Sequence, residues 1–219
     1  MGPLAAAVHG FPSRAFTLVG ITGTNGKTTT SLLVDALFRA AGGRTGLIGT
    51  LGARIGDREL PGDRTTPEAP ELQALFAEMA AAGVRAVAME VSSHALALDR
   101  TRGTEFDVGV FTNLTQDHLD FHPTLDAYFE AKSRLFTDYP AHSSKPFAAV
   151  INLDDPFGRR LRDMARGRIV TFGIDHDADL RATEVRATPA GVQFQLSRAG
   201  AAPVPVQLRL GGRFNVSNA

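Results

Sequence analysis

The chain contains no cysteine, so neither disulfides nor thiolate chemistry can enter its account. It has no excess of charge either: 23 basic and 23 acidic residues leave a formal net charge of zero, which argues against a nucleic-acid partner held by bulk electrostatics while leaving a local patch open. Long apolar runs are missing. The stretch Leu4 to Val8 has no basic residues before it and is too short for a signal peptide, and no other run approaches membrane-spanning length, so a soluble, cytoplasmic protein is expected. There is no internal repeat and no low-complexity tract. The most telling shortage is lysine, which supplies three of the 23 basic residues: Lys27, Lys132 and Lys145. A chain that meets nearly every need for positive charge with arginine keeps lysine where a guanidinium would fail, because an ammonium is compact and can lose its proton when buried.

What is present suffices for a globular core. With 219 residues, 43% of them hydrophobic, and strands alternating with helices, the chain can bury one large α/β core. The apolar run Phe16-Thr17-Leu18-Val19 leads into Gly20-Ile21-Thr22-Gly23-Thr24-Asn25-Gly26-Lys27-Thr28-Thr29. After it, Leu32, Leu33, Ala36, Leu37 and Ala40 recur at helical spacing until Gly42-Gly43. Strand, glycine loop and helix are the context of a phosphate loop. Backbone N–H groups converge on phosphate oxygens, the helix start adds partial positive charge, Lys27 reaches the terminal phosphates and Thr28 can hold Mg²⁺. One departure stands out: the first glycine of the G-x-x-x-x-G-K-[ST] pattern would fall at Ile21.

Lys132 occupies a stranger place. Leu125, Tyr128, Phe129, Leu135 and Phe136 follow the spacing of an amphipathic helix, and position 132 belongs to the same buried stripe. An unpaired ammonium there carries a large desolvation cost, so it should be paired, neutralised or chemically altered. The competing reading lays the stem along the core and lets the head reach water. The third lysine falls in a loop over 140–146 and is expected to be a solvated surface residue.

Two further strands end in chemistry. Val84 to Val91 is apolar apart from Arg85 and ends on Glu90 before Ser92-Ser93-His94, and the strand from Phe106 to Asn113 leads to Asp117, His118, Asp120 and His122. In an open parallel sheet ligands bind beyond the carboxyl ends of the strands, so the phosphate loop, Glu90 and the Asp117/His118 loop should gather on one edge. There Glu90 is placed to hold a nucleotide-bound metal and His118 a second. Further along, Phe147 to Asn152 and Arg168 to Phe172 read as strands, with a short arginine-rich helix from Asp155 to Ala165 between them. Beyond Gly173, the segments 180–187, 192–196 and 204–210 are alternating and separated by Pro189-Ala190-Gly191 and by residues 198–203. They are expected to form an antiparallel hairpin extension to a mostly parallel sheet flanked by helices.

Taken in order, Gly23-Thr24-Asn25-Gly26-Lys27-Thr28-Thr29, Thr65-Thr66-Pro67, Glu90-Val91-Ser92-Ser93-His94-Ala95-Leu96, Asn113 to Asp120 and Tyr128-Phe129-Glu130-Ala131-Lys132 resemble the motif series of Mur ligases, and most closely those of the MurE type. The resemblance implies an ATP-dependent ligase that adds the third amino acid to UDP-N-acetylmuramoyl-L-alanyl-D-glutamate in peptidoglycan synthesis. It implies that Lys132 is carbamylated, turning a cation into a carboxylate-like anion, and that Lys27, Glu90, His118 and Lys132 carry the catalysis. Residues Gly23, Thr24, Asn25, Gly26, Lys27, Thr28 and Thr29 would bind ATP. Thr28 and Glu90 would hold the nucleotide-bound Mg²⁺, and Glu90, His118 and modified Lys132 a second.

By the same resemblance, Thr65, Thr66, Ser92 and Arg100 match positions that contact the UDP-muramoyl-peptide, while Asn215 and Asn218 match a segment near the adenine. Leu98 and Asp99 depart from the Gln and His found before that arginine in some MurE enzymes. The implied chemistry is phosphoryl transfer to the muramoyl-dipeptide carboxylate, then displacement of phosphate by the incoming amine. Residues 1–15 would be a linker from an N-terminal domain and 16–219 the central ATP-binding domain, without the C-terminal domain that selects the amino acid. That central domain is expected to be monomeric and to have little ligase activity alone. Folylpolyglutamate synthetases share the architecture, although the Thr-Thr-Pro and Glu-Val-Ser-Ser-His-Ala-Leu segments argue against them. A non-catalytic nucleotide-binding module is the other reading, and for it Lys132→Ala would leave function intact.

Overall fold

In a computed structural model describing residues 1–117 and 121–219, the chain starts with helix α1 (Gly2–Val8) and a 3-10 turn (Pro12–Ala15). Strand β1 (Thr17–Thr22) feeds α2 (Lys27–Ala40). There follow β2 (Thr45–Gly49), β3 (Gly52–Ile55), β4 (Arg58–Leu60), α3 (Ala69–Ala81), β5 (Ala86–Glu90), α4 (Ser93–Ala97) and β6 (Val108–Phe111). The second half comprises α5 (Leu125–Ala141), β7 (Ala148–Asn152), α6 (Pro156–Arg162), β8 (Arg168–Gly173), β9 (Leu180–Thr188), β10 (Gly191–Arg198), β11 (Val204–Leu208) and α7 (Phe214–Asn218).

Among the described residues the strands form one sheet in the order β11-β10-β9-β8-β7-β6-β1-β5-β2-β3-β4. Strands β2, β5, β1, β6, β7 and β8 run parallel, as the helical crossovers between them require. β1 sits at the centre between β5 and β6. Ile21 lies level with Glu90 on one side and Val110 on the other, so the ends of all three strands open on one edge. The expected hairpin extension is present as antiparallel β9, β10 and β11. The opposite edge, where β2 turns back through β3 and β4, was not read from the sequence, and neither was α3.

The main core lies between the sheet and the helices α3 to α6, with Leu72, Phe76, Phe106, Phe111, Tyr128 and Phe136 each at most 1% exposed. A smaller cluster of Val19, Ile21, Ala88 and Val110 packs beneath α2. No helix among the described residues is long and apolar enough to cross a membrane. Helix α5 extends past the expected loop start at 140, with Pro140 in its last turn. Proline cannot donate to the Phe136 carbonyl, and that carbonyl instead accepts the N–H of Arg166 at 3.0 Å, so the helix runs on with no orphaned acceptor.

Lys145 is not a solvated residue. Its side chain is only 13% exposed, and its Nζ donates to the carbonyls of Ser13 at 2.9 Å and Phe16 at 2.8 Å while pairing with Asp107. Asp107 in turn accepts the N–H of Leu18 at 2.7 Å. One ammonium therefore ties the entry to β1 to the entry to β6, beside a second knot in which Glu105 binds Arg14, Ser143 and Ser144. Lys145→Met is expected to lower unfolding free energy by about 1–3 kcal/mol, since it leaves two carbonyls and a carboxylate short of a donor. Urea denaturation measures it, and a change within error would return Lys145 to the surface.

Candidate functional site

The loop between β1 and α2 is shaped by two glycines with positive φ. Gly23 has φ +149°, and a Cβ there would lie 1.9 Å from Thr112 Oγ1; Gly26 has φ +87°, and its Cβ would lie 2.2 Å from Asn218 Oδ1. The exit of β6 clamps the loop from outside. Thr24 N donates to Asn113 O at 2.8 Å, Asn25 N to Asn113 Oδ1 at 3.0 Å, and Thr112 Oγ1 to Asn25 O at 2.6 Å. Ile21, where the common pattern has its first glycine, is still within β1 and fully buried, so the turn begins two residues later than in that pattern. No side chain caps the first turn of α2, whose residues Lys27, Thr28 and Thr29 line the cleft.

Both chemically singular lysines meet at one carbonyl. Lys27 Nζ donates to Gly23 O at 3.0 Å and Thr24 O at 2.8 Å, and Lys132 Nζ donates to the same Gly23 O at 2.8 Å. Lys132 is 1% exposed, which removes the reading in which its head reaches water. Its Nζ sits 4.4 Å from the Tyr128 ring centre, and the Tyr128 hydroxyl lies 3.3 Å from Thr24 Oγ1. Burial pushes the Lys132 amine well below its ordinary range, the Lys27 charge pushes it further, and Asp117 opposes. Lys27 is also pulled down by burial, with Glu90 and Asp117 drawing it back. Two ammoniums sharing one carbonyl oppose each other's charge, and the deeper one yields first.

Glu90 closes β5 at 1% exposure with both oxygens engaged. Oε2 accepts the Thr28 hydroxyl at 3.0 Å and the Thr50 hydroxyl at 3.2 Å, while Oε1 accepts Thr50 N at 3.0 Å. Gly49 makes room for this carboxylate, since a Cβ on it would lie 2.2 Å from Oε1. Thr28 and Glu90 are hard oxygen donors side by side at the end of a phosphate loop. They fit Mg²⁺, which takes one or two protein ligands and completes its shell with phosphate and water. Among the described residues no group of three or more His, Cys, Asp or Glu could hold a metal on its own. His118, expected beside Glu90 and Lys132, lies outside the described residues.

These groups line a single cleft of about 630 Å³ that runs from residues 24–29 to Thr65, Thr66, Ser92 and Arg100, with Lys132 at its base. The expected peptide-binding residues differ in what they have free. The Thr66 hydroxyl is locked, donating to Glu90 O at 2.9 Å and accepting Ser92 N at 3.1 Å; Ser92 Oγ caps α4 by accepting Ala95 N at 3.2 Å. Thr65 Oγ1 lies 3.0 Å from Thr50 Oγ1, and Arg100 Nε lies 2.9 Å from Glu68 Oε1. Asp99, beside Arg100, adopts φ +55° and pairs with Arg134 at 2.6 Å.

Asn215 and Asn218 do not line that cleft. They are buried behind the loop, where Asn218 Nδ2 donates to Asn215 Oδ1 at 3.0 Å and Thr30 Oγ1 donates to Asn218 O at 3.0 Å, fastening α7 to α2. Thr50 and His94 line the cleft without having been assigned a role from sequence. Thr50 was legible only as the residue after a strand on the same sheet edge.

The Mur ligase middle domain matches residues 21–219. The UDP-N-acetylmuramoyl-L-alanyl-D-glutamate--2,6-diaminopimelate ligase of Corynebacterium glutamicum is 47% identical over 100% of this chain and 42% of its own length. A solved structure of a ligase of the same name superposes with a TM-score of 0.87 at 32% identity, over 99% of this chain and 45% of that one. A Mycobacterium tuberculosis folylpolyglutamate synthase, solved with ADP and AMPPCP, has a TM-score of 0.76 over 98% of this chain and 55% of its own; at 21% identity it shares the fold alone. The chain spans less than half the length of the diaminopimelate ligases it resembles, and it belongs to the Mur ligase family.

Proposed function

We propose that residues 16–219 are the central ATP-binding domain of an ATP-dependent ligase that joins an amino acid to UDP-N-acetylmuramoyl-L-alanyl-D-glutamate, with residues 1–15 as the link to an N-terminal domain. The names of the relatives support 2,6-diaminopimelate as the amino acid. The observation that carries the reading is the convergence of Lys27, Thr28, Glu90 and Lys132 on one cleft that also reaches Thr65 and Arg100. Beside it, the folate-ligase reading rests on fold alone.

In this reading the loop N–H groups and Lys27 hold the β- and γ-phosphates, while Asn215 and Asn218 brace the loop from the adenine side. Thr28 and Glu90 would hold one Mg²⁺, and Glu90, His118 and carbamylated Lys132 a second; these metals supply charge neutralisation on the γ-phosphate. Thr65, Thr66, Ser92 and Arg100 line the approach of the muramoyl-dipeptide. Its carboxylate attacks the γ-phosphorus, ADP leaves, and the amine of the amino acid then displaces phosphate from the acyl phosphate. Positioning and electrostatics are the protein's contribution, and no covalent enzyme intermediate is needed. We place this work in the cytoplasm, on a monomer.

The test pairs binding with turnover. The 219 residues alone should bind ATP in a Mg²⁺-dependent way and form no tripeptide, whereas the whole ligase carrying them should convert UDP-muramoyl-dipeptide, ATP and diaminopimelate to the tripeptide. Turnover by the 219 residues alone would overturn the domain assignment, and turnover of folate with glutamate would overturn the substrate.

A further inference from the structure

We propose that Thr50 is a positioning residue in the middle of a one-way hydroxyl relay, Thr65 to Thr50 to Glu90, and that the relay makes Thr65 an acceptor that receives a neutral hydrogen-bond donor of the muramoyl-peptide. The inference rests on the ligase reading for the identity of that substrate and on nothing but geometry for the relay itself.

Counting protons gives the direction. A glutamate carboxylate only accepts, and Glu90 Oε2 lies 3.2 Å from Thr50 Oγ1 and 3.0 Å from Thr28 Oγ1. Each threonine hydroxyl has one proton. Thr50 spends its proton on Glu90, so at the 3.0 Å contact between Thr50 Oγ1 and Thr65 Oγ1 it is Thr65 that donates. Thr65 then has lone pairs and no proton to offer the cleft. A substrate carboxylate or phosphate placed there would meet an acceptor, while an amide N–H or a sugar hydroxyl would be welcome.

The same residue steadies the carboxylate. Thr28 Oγ1 donates to Glu90 in the free protein and keeps its lone pairs to offer a cation, so Thr28 would be shared between the carboxylate and Mg²⁺, whereas Thr50 is committed to the carboxylate. Thr50 grips Glu90 twice, through its N–H at 3.0 Å to Oε1 and through its hydroxyl to Oε2. Gly49 supports the grip, because any side chain there would collide with Oε1. Residues Thr50 and Thr65 therefore connect the carboxylate on the nucleotide side of the cleft to its substrate side, and the two should respond together.

The experiment uses the whole ligase and two probes, UDP-muramoyl-dipeptide and Mg²⁺·ATP, each followed by direct binding. Thr50→Val keeps the shape and the N–H but removes the hydroxyl. It should weaken dipeptide binding about tenfold and raise the Mg²⁺ needed for half-maximal nucleotide binding by a similar factor, with Thr50→Ser restoring both. Thr65→Val should weaken the dipeptide alone, and the double variant should lose no more dipeptide affinity than the worse single one. Additive losses, an unchanged Mg²⁺ requirement in Thr50→Val, or failure of Thr50→Ser to restore it would each overturn the relay. A dipeptide analogue with an ester in place of its amide N–H separates the two donor sources: weaker binding to the parent but not to Thr65→Val assigns the amide, and equal discrimination by both assigns a sugar hydroxyl. If the parent ligase binds no dipeptide, the functional reading falls, and the relay is still decided by the Mg²⁺ arm.

Discussion

A ligase carrying Lys132→Arg should lose turnover by about a hundredfold or more, the range seen when a residue that sets up a metal is replaced. The argument is chemical before it is steric. A neutral amine adds to CO₂ and releases a proton, leaving an anionic carbamate; a guanidinium stays protonated and cannot start. Lys132 is 1% exposed, and its ordinary value of 10.5 is lowered mainly by burial, which shifts the balance toward the required neutral form. The signature is a ¹³C resonance from labelled bicarbonate in the parent and its absence in the variant. Full turnover by Lys132→Ala would instead remove Lys132 and its carbamate from the catalysis. In CO₂-free buffer the amine adds a pH signature of definite sign. Its folded value lies below its unfolded one, so the unfolded chain binds the extra proton, and stability rises with pH between the two. Lys132→Met should flatten that rise by up to about 1.4 kcal/mol per pH unit, and Lys27, lowered in the same direction, accounts for part of what remains.

The parts of the site that could be read from sequence are those whose residue types have few other uses. Lys27 and Lys132 stood out in a chain that otherwise uses arginine, Gly23 and Gly26 in a loop after an apolar strand, and Glu90 at the end of another. The shared edge followed from topology, since parallel strands place their carboxyl ends together. What escaped notice is chemically ordinary. Thr50 is one hydroxyl after Thr45-Gly46-Leu47-Ile48-Gly49, a strand whose two glycines hide its apolar alternation. Gly49 is needed to admit a carboxylate from 41 positions away in sequence, which no local pattern announces. The anchoring of Lys145 is hidden for a related reason: two of its partners are backbone carbonyls separated from it by 132 and 129 positions, and carbonyls leave no trace in a sequence. Asn215 and Asn218 were legible only through the family resemblance. The structure gives them a bracing role that the motif did not suggest, because their amides bind each other and Gly211 O rather than facing the cleft.

Glu90→Gln should reduce turnover by about a hundred- to a thousandfold while leaving the fold almost untouched, and the contrast is what makes the variant informative. The native carboxylate receives three donors: the Thr28 hydroxyl, the Thr50 hydroxyl and Thr50 N. A glutamine can satisfy the same shell if its oxygen stays on Thr50 N and its two N–H groups turn to Thr28 and Thr50, whose hydroxyls rotate to accept. No buried group is then orphaned, and the melting temperature should move by only a few degrees. What disappears is the negative charge, and with it the attraction for a divalent cation beside the phosphate loop. Nucleotide binding should lose its Mg²⁺ dependence in proportion, and the reversed Thr50 hydroxyl should turn Thr65 from an acceptor into a donor. Dipeptide affinity should therefore fall in Glu90→Gln even without metal, and adding Thr65→Val should cost nothing more. Unchanged Mg²⁺ dependence would remove Glu90 from the metal. A large loss of stability would show instead that the three donors require a carboxylate, and that the site's geometry rather than its charge had been lost.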